Sequence, residues 1–593
     1  MIKRTTRLRW RRRFRRSRKQ VEGMGTQAEE RLERHFFRRM GRLLRVRRFI
    51  STWIVLVMLL LSLSILQIRN LGGYYLVSKP VPGGAYVEGE LGTFTNANPL
   101  FATTAVDSSV SRLLFASLFK YDQNHNLVGD LADHWTVDDR GVTYTVSLKH
   151  DLKWQDDYPL TANDVDFTYK TIQNPDVKSP LFGSWRGITV TVKNPWTIEF
   201  VLPSALGSFP YSMTNGIIPK HLLSTTPATQ LRSVSFNTVS PVGAGPFKWS
   251  AIEVIGQTPE THEQRIALLP NEFYHGGKPK LNKFIVRSFQ TKAPLTKSFM
   301  KHELNGVAGL GVMPKKLLKD PGIKEYNIPL LGEVMIFLRT SSDVLIDPLL
   351  RQALERGTDT SAILKVLGYP VIAAHEPLLA GQLAYDKSLA QSPYDTKEAA
   401  KLFEQAGWKL NAKGIREKNG KPLVLSLYAP DTDEYQVVTT TVQQQWRQLG
   451  VTLTVNVQSE AELQTTLAIN GYDTLLYGIG IGVDPDVFAY WHSSQASTLV
   501  PNHLNFSDYK SAPADRALEA GRTRVDPTIR TVKYQPFLEA WRSDVPAIAL
   551  YQPRFLYITR GQLYNFETHA MVAGTDRFAN FENWMIRENR QSQ

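Results

Sequence analysis

Apolar and polar side chains alternate along Val142-Thr143-Tyr144-Thr145-Val146-Ser147-Leu148, and that period of two predicts a half-buried strand. A helical period governs Tyr394-Asp395-Thr396-Lys397-Glu398-Ala399-Ala400-Lys401-Leu402-Phe403, which reads as an amphipathic helix ended by Gly407. Thr161-Ala162-Asn163-Asp164-Val165-Asp166-Phe167 opens another helix, with a capping Thr and an acid three residues on. Such elements mix from Ala85 onward, which predicts an α/β or α+β class in more than one domain. The 593 residues are enough for about three or four folded units.

Phe49 to Ile68 has a third texture: twenty residues without a charged side chain, bracketed by Arg48 and Arg69. As a helix this run reaches about 30 Å, the hydrocarbon thickness of a bilayer. Its core is longer than that of a cleaved signal peptide, and small-residue phrases such as Ser62-Leu63-Ser64 are weak cleavage sites, so a retained single-pass anchor is expected. Residues 1–48 hold 19 Lys or Arg and four Glu, which accounts for the whole net charge of +15; the other 51 basic and 51 acidic residues cancel. Positive flanks stay on the cytoplasmic side, so the tail is expected inside and everything after residue 70 outside. The run Arg11, Arg12, Arg13, Arg15 and Arg16 reads as a topology determinant held at anionic lipid headgroups, with no specific nucleic-acid binding expected. Residues 69–85, with GGYYLVSKPVPGG, read as a spacer.

The chemistry that the chain excludes narrows the field. Zero cysteine removes a disulfide scaffold, a thiolate metal site, a thiol nucleophile and an acylated-Cys anchor. No Gly-x-Ser-x-Gly elbow, His-Glu-x-x-His or phosphate loop ending in Gly-Lys-Ser or Gly-Lys-Thr occurs, and His134, His150, His492 and His503 are scattered. No enzyme, cofactor or protein-supplied metal site is expected.

A series of phrases then recurs in one order. GDLADHWTVDDRGVTYTVSLKHDLKWQDDYPLTANDVDFTY runs from Gly129 to Tyr169, after Asn98-Pro99-Leu100. SPVGAGPF (Ser240 to Phe247), Pro270-Asn271-Glu272-Phe273-Tyr274 with Gly276-Gly277-Lys278-Pro279, and Asp347-Pro348-Leu349-Leu350-Arg351-Gln352-Ala353-Leu354 follow. Asp395 to Trp408, Asp484-Pro485-Asp486 and Asp544-Val545-Pro546-Ala547 complete the series. Together they resemble the extracellular solute-binding proteins of peptide, opine and nickel ABC importers, bacterial family 5. Trp154-Gln155-Asp156-Asp157 departs from that family's Trp-His-Asp-Gly and removes a turn glycine.

The resemblance implies a two-lobed, periplasmic-binding-protein-like α/β clamshell with an inserted third domain. Mapped onto this chain, it expects lobe I at 86–120, 213–335 and 545–593, the inserted domain at 121–212, and lobe II at 336–544. It implies a peptide ligand held largely through backbone hydrogen bonds and passed to an ABC permease with its cytoplasmic ATPase. Dipeptide-type members pair a carboxylate with the ligand's α-ammonium three residues before Asp-Pro-Asp; here that place holds Ile481, within Tyr477-Gly478-Ile479-Gly480-Ile481-Gly482. Asp484 is then a candidate substitute, or a cap for a helix through Phe488 and Trp491. Trp185, Tyr477, Tyr490 and Trp491 are candidate ligand contacts or packing residues. Arg339 is a candidate for a ligand carboxylate or a surface ion pair, and Gly243 and Gly245 for a lobe-crossing hinge or turn. Two other readings stand beside peptide import: a sensor signalling through the anchor, for which the long basic tail speaks, and a receptor for a non-peptide solute such as an opine, oligosaccharide or metal chelate.

Overall fold

The computed structural model describes residues 47–496 and 503–592; residues 1–46, which hold nearly all of the basic tail, lie outside them. The chain divides into two units, residues 1–79 with 588–593 and residues 80–587.

In the first unit one helix, Arg47–Tyr75, contains the apolar run, whose twenty residues Phe49–Ile68 have a mean hydropathy of 2.5 and are unburied. It is long and apolar enough to cross a membrane. The spacer expected at 69–85 is mostly regular structure. The helix runs on to Tyr75, and Leu76–Val81 pairs as a strand with Arg587–Ser592. These backbone groups bond within helix and ribbon, which leaves 82–84 as the irregular link; Gly83 (φ 113) and Gly84 (φ 90) supply its left-handed turn.

The second unit is built on two sheets. The larger has seven strands in the order Ile323–Pro329, Arg554–Arg560, Gly306–Ala308, Ala85–Leu91, Lys283–Phe289, Glu263–Pro270 and Phe247–Ile255. Its three strands Ala85–Leu91, Lys283–Phe289 and Gly306–Ala308 run parallel. The other has five, in the order Thr452–Gln458, Val424–Pro430, Thr474–Gly480, Gly332–Leu338 and Ala547–Tyr551. Gly332–Leu338 is buried along its whole length, because Val334, Ile336 and Leu338 enter one apolar cluster and Met335 and Phe337 the cluster on the other face.

A third, antiparallel sheet joins Ala132–Val137, Thr143–Leu148, Thr197–Val201 and Thr189–Asn194. In its second strand Tyr144, Val146 and Leu148 are buried, as the alternation predicts. Thr161 and Asp164 form the capping box of Ala162–Gln173, and the Asp395 carboxylate accepts from the N–H groups of Lys397 and Glu398 to cap Thr396–Gln405. Tyr144, Trp154 and Trp185 of this region share one hydrophobic cluster with Tyr86, Phe247 and Phe284 of the seven-stranded sheet and with Trp584 near the C-terminus.

The chain crosses between the two large sheets twice, between Pro329 and Gly332 and between Tyr551 and Arg554. The expected boundaries at 336 and 545 are therefore displaced. Ala547–Tyr551 is apolar and buried, and it pairs with Gly332–Leu338 in the five-stranded sheet before the chain returns.

Gly243 and Gly245 serve neither crossing, and neither has a positive φ. They lie in the seam between the inserted sheet and the seven-stranded lobe. A Cβ on Gly243 would stand 1.9 Å from the Leu114 carbonyl oxygen, so the constraint is close backbone approach. Gln155 locks this seam: its amide donates to the carbonyls of Leu114 (3.1 Å) and Phe247 (2.5 Å) and accepts from the Gly243 N–H (3.0 Å). Two residues on, Asp157 holds the left-handed turn itself (φ 69) and pairs with Lys153 at 2.6 Å. Asp157→Gly relieves the backbone and removes only an exposed ion pair, so we expect a change within about 1 kcal/mol, on the stabilising side, in urea unfolding.

Candidate interlobe binding site

Ligand sites in open α/β sheets lie beyond the carboxyl ends of parallel strands. In the first lobe those ends are Leu91, Phe289 and Ala308; in the second they are Pro430, Gln458 and Gly480, the termini of three mutually parallel strands. The two sets face one another. Lys292, opening the helix after Phe289, reaches Asp433, in the first turn of the helix after Pro430, at 2.8 Å. The crevice between the lobes is thus walled by strand ends and helix N-termini from both sides.

The floor is made by the crossings. Leu331 donates its N–H to Met571 O (2.7 Å), and its own carbonyl accepts from Ile481 (3.0 Å) and Gly482 (2.9 Å). Arg554, just past the second crossing, lays its guanidinium 3.4 Å from the ring centroid of Tyr369. The hydroxyls of Tyr369 (2.5 Å) and Tyr551 (2.8 Å) both donate to Glu434.

At the Gly480 end of the second lobe the structure gathers Tyr477 and Tyr490, both half-buried; the Tyr490 hydroxyl donates to Gly480 O at 2.7 Å. Gly480 and Gly482 border open space, with no heavy atom within 4 Å of where a Cβ would stand. At these two positions the space beside the main chain is open, although the carbonyl of Gly482 accepts from the Gln382 amide at 2.7 Å.

Asp484 lies just beyond, but its carboxylate is engaged. Arg530 grips it bidentately at 2.6 and 2.7 Å, and the two side chains are 8% and 6% exposed. The short helix Phe488–Trp491 receives no side-chain cap, so Asp484 does not cap it. Ile481 is buried in the apolar cluster with Ile479 and Val487.

Three candidates lie elsewhere. Trp185 stacks on Tyr169, with centroids 3.8 Å apart, inside the inserted region's core beside Phe200 and Phe209. Trp491 is fully buried between Phe337 and Trp541. Arg339 follows the strand end that pairs with Thr474, whereas Gly332 pairs with Gly480 at the crevice, which sets Arg339 roughly 20 Å away along the sheet.

Sequence reasoning missed Glu333, although a carboxyl group directly before the apolar run Val334 to Leu338 was a visible signal. It is 1% exposed at the first crossing; burial, and then the neighbouring Glu376, push its pKa well up. Burial likewise raises Glu376 to about 7. Arg530, 46 positions from Asp484, and the Lys292–Asp433 pair had no local signal.

The sequence model of the bacterial extracellular solute-binding proteins, family 5 Middle, matches residues 126–498, more than half of the chain. The chain belongs to this family. It is a solute-binding protein and not an enzyme. Oligopeptide-binding protein AppA of Bacillus subtilis (strain 168) is 25% identical over 539 residues, 87% of this chain and 97% of that protein. The solved structure of AppA in complex with a nonapeptide matches with a TM-score of 0.70 at 25% identity, covering 86% of this chain and 100% of that one. NikZ from Campylobacter jejuni, solved with Ni(L-His), matches at 0.72 and 24% identity, covering 84% and 99%. Both matches take in the two-lobed fold nearly end to end.

Proposed function

We propose that this solute-binding protein is the membrane-anchored receptor of an ABC importer, capturing peptides in the interlobe crevice and delivering them to a permease driven by a cytoplasmic ATPase. The observation that carries the peptide reading is the open space beside Gly480 and Gly482 at the carboxyl edge of the second lobe's sheet. Glycines that leave room beside the main chain suit an extended peptide lying along this edge, with its side chains unconstrained. The near full-length likeness to an oligopeptide-binding protein solved with a nonapeptide supports it. Phe49–Ile68 supports a retained single-pass anchor, with the basic tail at anionic headgroups on the cytoplasmic side and residues after 70 outside.

Native mass spectrometry of the full chain in detergent tests the ligand class. We expect a heterogeneous set of co-purified peptides; one homogeneous non-peptide mass would overturn the assignment. Deleting residues 1–40 while keeping the helix is expected to leave peptide uptake intact, whereas a sensor would lose its signal and keep its ligand.

Because Asp484 is held by Arg530 and Ile481 is buried, neither position supplies a free carboxylate to the ligand's terminal ammonium. Breaking the buried pair to recruit Asp484 would leave Arg530 uncompensated. Free and N-acetylated forms of one nonapeptide should therefore bind within about threefold of each other by calorimetry, a difference below 1 kcal/mol. A preference for the free amine above tenfold would sink this point, and its loss in Glu333→Gln would reassign the counter-charge to Glu333.

A further inference from the structure

Asp486, the second acid of the Asp484-Pro485-Asp486 phrase, faces the opposite jaw. Its carboxylate accepts from the Ser208 hydroxyl of the inserted region at 2.8 Å and from Arg522 of the second lobe at 3.1 Å. The loop carrying Ser208 is anchored in the inserted region's core, which shares one hydrophobic cluster with the seven-stranded sheet. Phe209 is buried there, and the Tyr144 hydroxyl donates to Leu206 O at 2.9 Å.

Two main-chain contacts accompany the Ser208 bond. Arg522 is the last residue of the helix Ala512–Arg522, and its carbonyl, which the helix itself leaves unpaired, accepts from the Gly207 N–H at 2.8 Å. A Cβ on Gly207 would lie 2.4 Å from Arg524 O, so the jaws meet here only because position 207 lacks a side chain. Arg522 is itself fixed, its guanidinium 4.1 Å from the ring centroid of Phe488.

We propose that Asp486, Arg522 and the Arg522–Arg524 main chain form a latch onto which Gly207 and Ser208 close, holding the two lobes together whether or not ligand is bound. Asp486 and Ser208 are positioning residues: they set how long the crevice stays shut. Each bond of the latch exchanges with water when the jaws part, so its net contribution is modest and the closure reversible. The proposal rests on the crevice between the lobes being the ligand site, but its test reads the lobes directly.

The chain has no cysteine, so cysteines introduced at exposed Asn163 and Lys510 accept spin labels at those two places alone. Electron–electron resonance on the full chain in lipid nanodiscs, without ligand, then gives the interlobe distance distribution. Ser208→Ala and Asp486→Asn should each lower the short-distance population at least about threefold, and Gly207→Ala, acting as a wedge, should do the same. Ser208→Thr, which keeps the hydroxyl, should restore the parent distribution, and the urea midpoint of Ser208→Ala should match the parent. Distributions identical to the parent in all three variants would overturn the latch. Failure of peptide capture with the distance shift intact would count against the peptide reading alone.

Discussion

Arg577→Met is expected to lower the unfolding free energy by about 3–5 kcal/mol at pH 8, because it strands two buried carboxyl groups. The Arg577 guanidinium donates to Glu88 (3.0 and 2.5 Å), Glu90 (2.5 Å) and Ser109 (3.0 Å) beneath the carboxyl end of Ala85–Leu91, and Arg577, Glu88 and Glu90 are 2, 0 and 3% exposed. Burial pushes Glu90 up to about 8 against the pull of Arg577. The folded chain therefore holds a proton that the unfolded chain releases near pH 4.5. The associated stability is complete below that pH and is lost as pH rises through 8. The parent's urea midpoint should accordingly fall from pH 5 to pH 8, and the deficit of Arg577→Met should be smaller at pH 5, where Glu90 holds its proton. Asp130 acts in another window. Burial would raise it, but His275, Lys120 and Arg112 hold it below its ordinary value, so its contribution disappears only below about pH 4. A deficit independent of pH, or below about 1 kcal/mol, would show that the three side chains do not share one buried charge balance.

Asp484→Ala should also lose about 3–5 kcal/mol, by leaving Arg530 buried with, among the described residues, the Gly521 carbonyl (3.2 Å) and the Tyr534 hydroxyl (3.5 Å) as its remaining hydrogen-bond partners. The folded variant should bind a test nonapeptide within about threefold of the parent, a free-energy change below 1 kcal/mol. Urea unfolding and calorimetry on the same preparation separate these effects. The opposite pattern, full stability with binding lost, would return Asp484 to the ligand.

Local structure was widely legible because its causes are local. Thr161 with Asp164, Asp395 with its two amides, and the alternation from Val142 to Leu148 each need only neighbours in sequence. Family phrases extended that legibility to the two-lobed fold. The side-chain roles were far less legible. Trp185 and Trp491 look alike to sequence reasoning whether they face a ligand or a core, since only the packing partners Tyr169 and Trp541 decide. Arg339 follows a strand whose direction across the crevice is set by its pairing with Thr474–Gly480. Asp484 looked available because Arg530 is remote in sequence, and Gly243 looked like a hinge because Leu114 is. Where the deciding partner lies dozens of positions away, composition and periodicity carry no trace of it.

The order of strands in the seven-stranded sheet also dictates when this protein becomes whole during synthesis. Arg554–Arg560 sits between Ile323–Pro329 and Gly306–Ala308, so those two earlier strands have no shared neighbour until nearly all of the chain has been made. The second lobe, by contrast, gathers four of its five strands before residue 481. Through most of its emergence the nascent first lobe therefore shows two raw β-edges, the surface most prone to mispairing. A frameshift between codons 330 and 553 would leave those two strands without their shared neighbour.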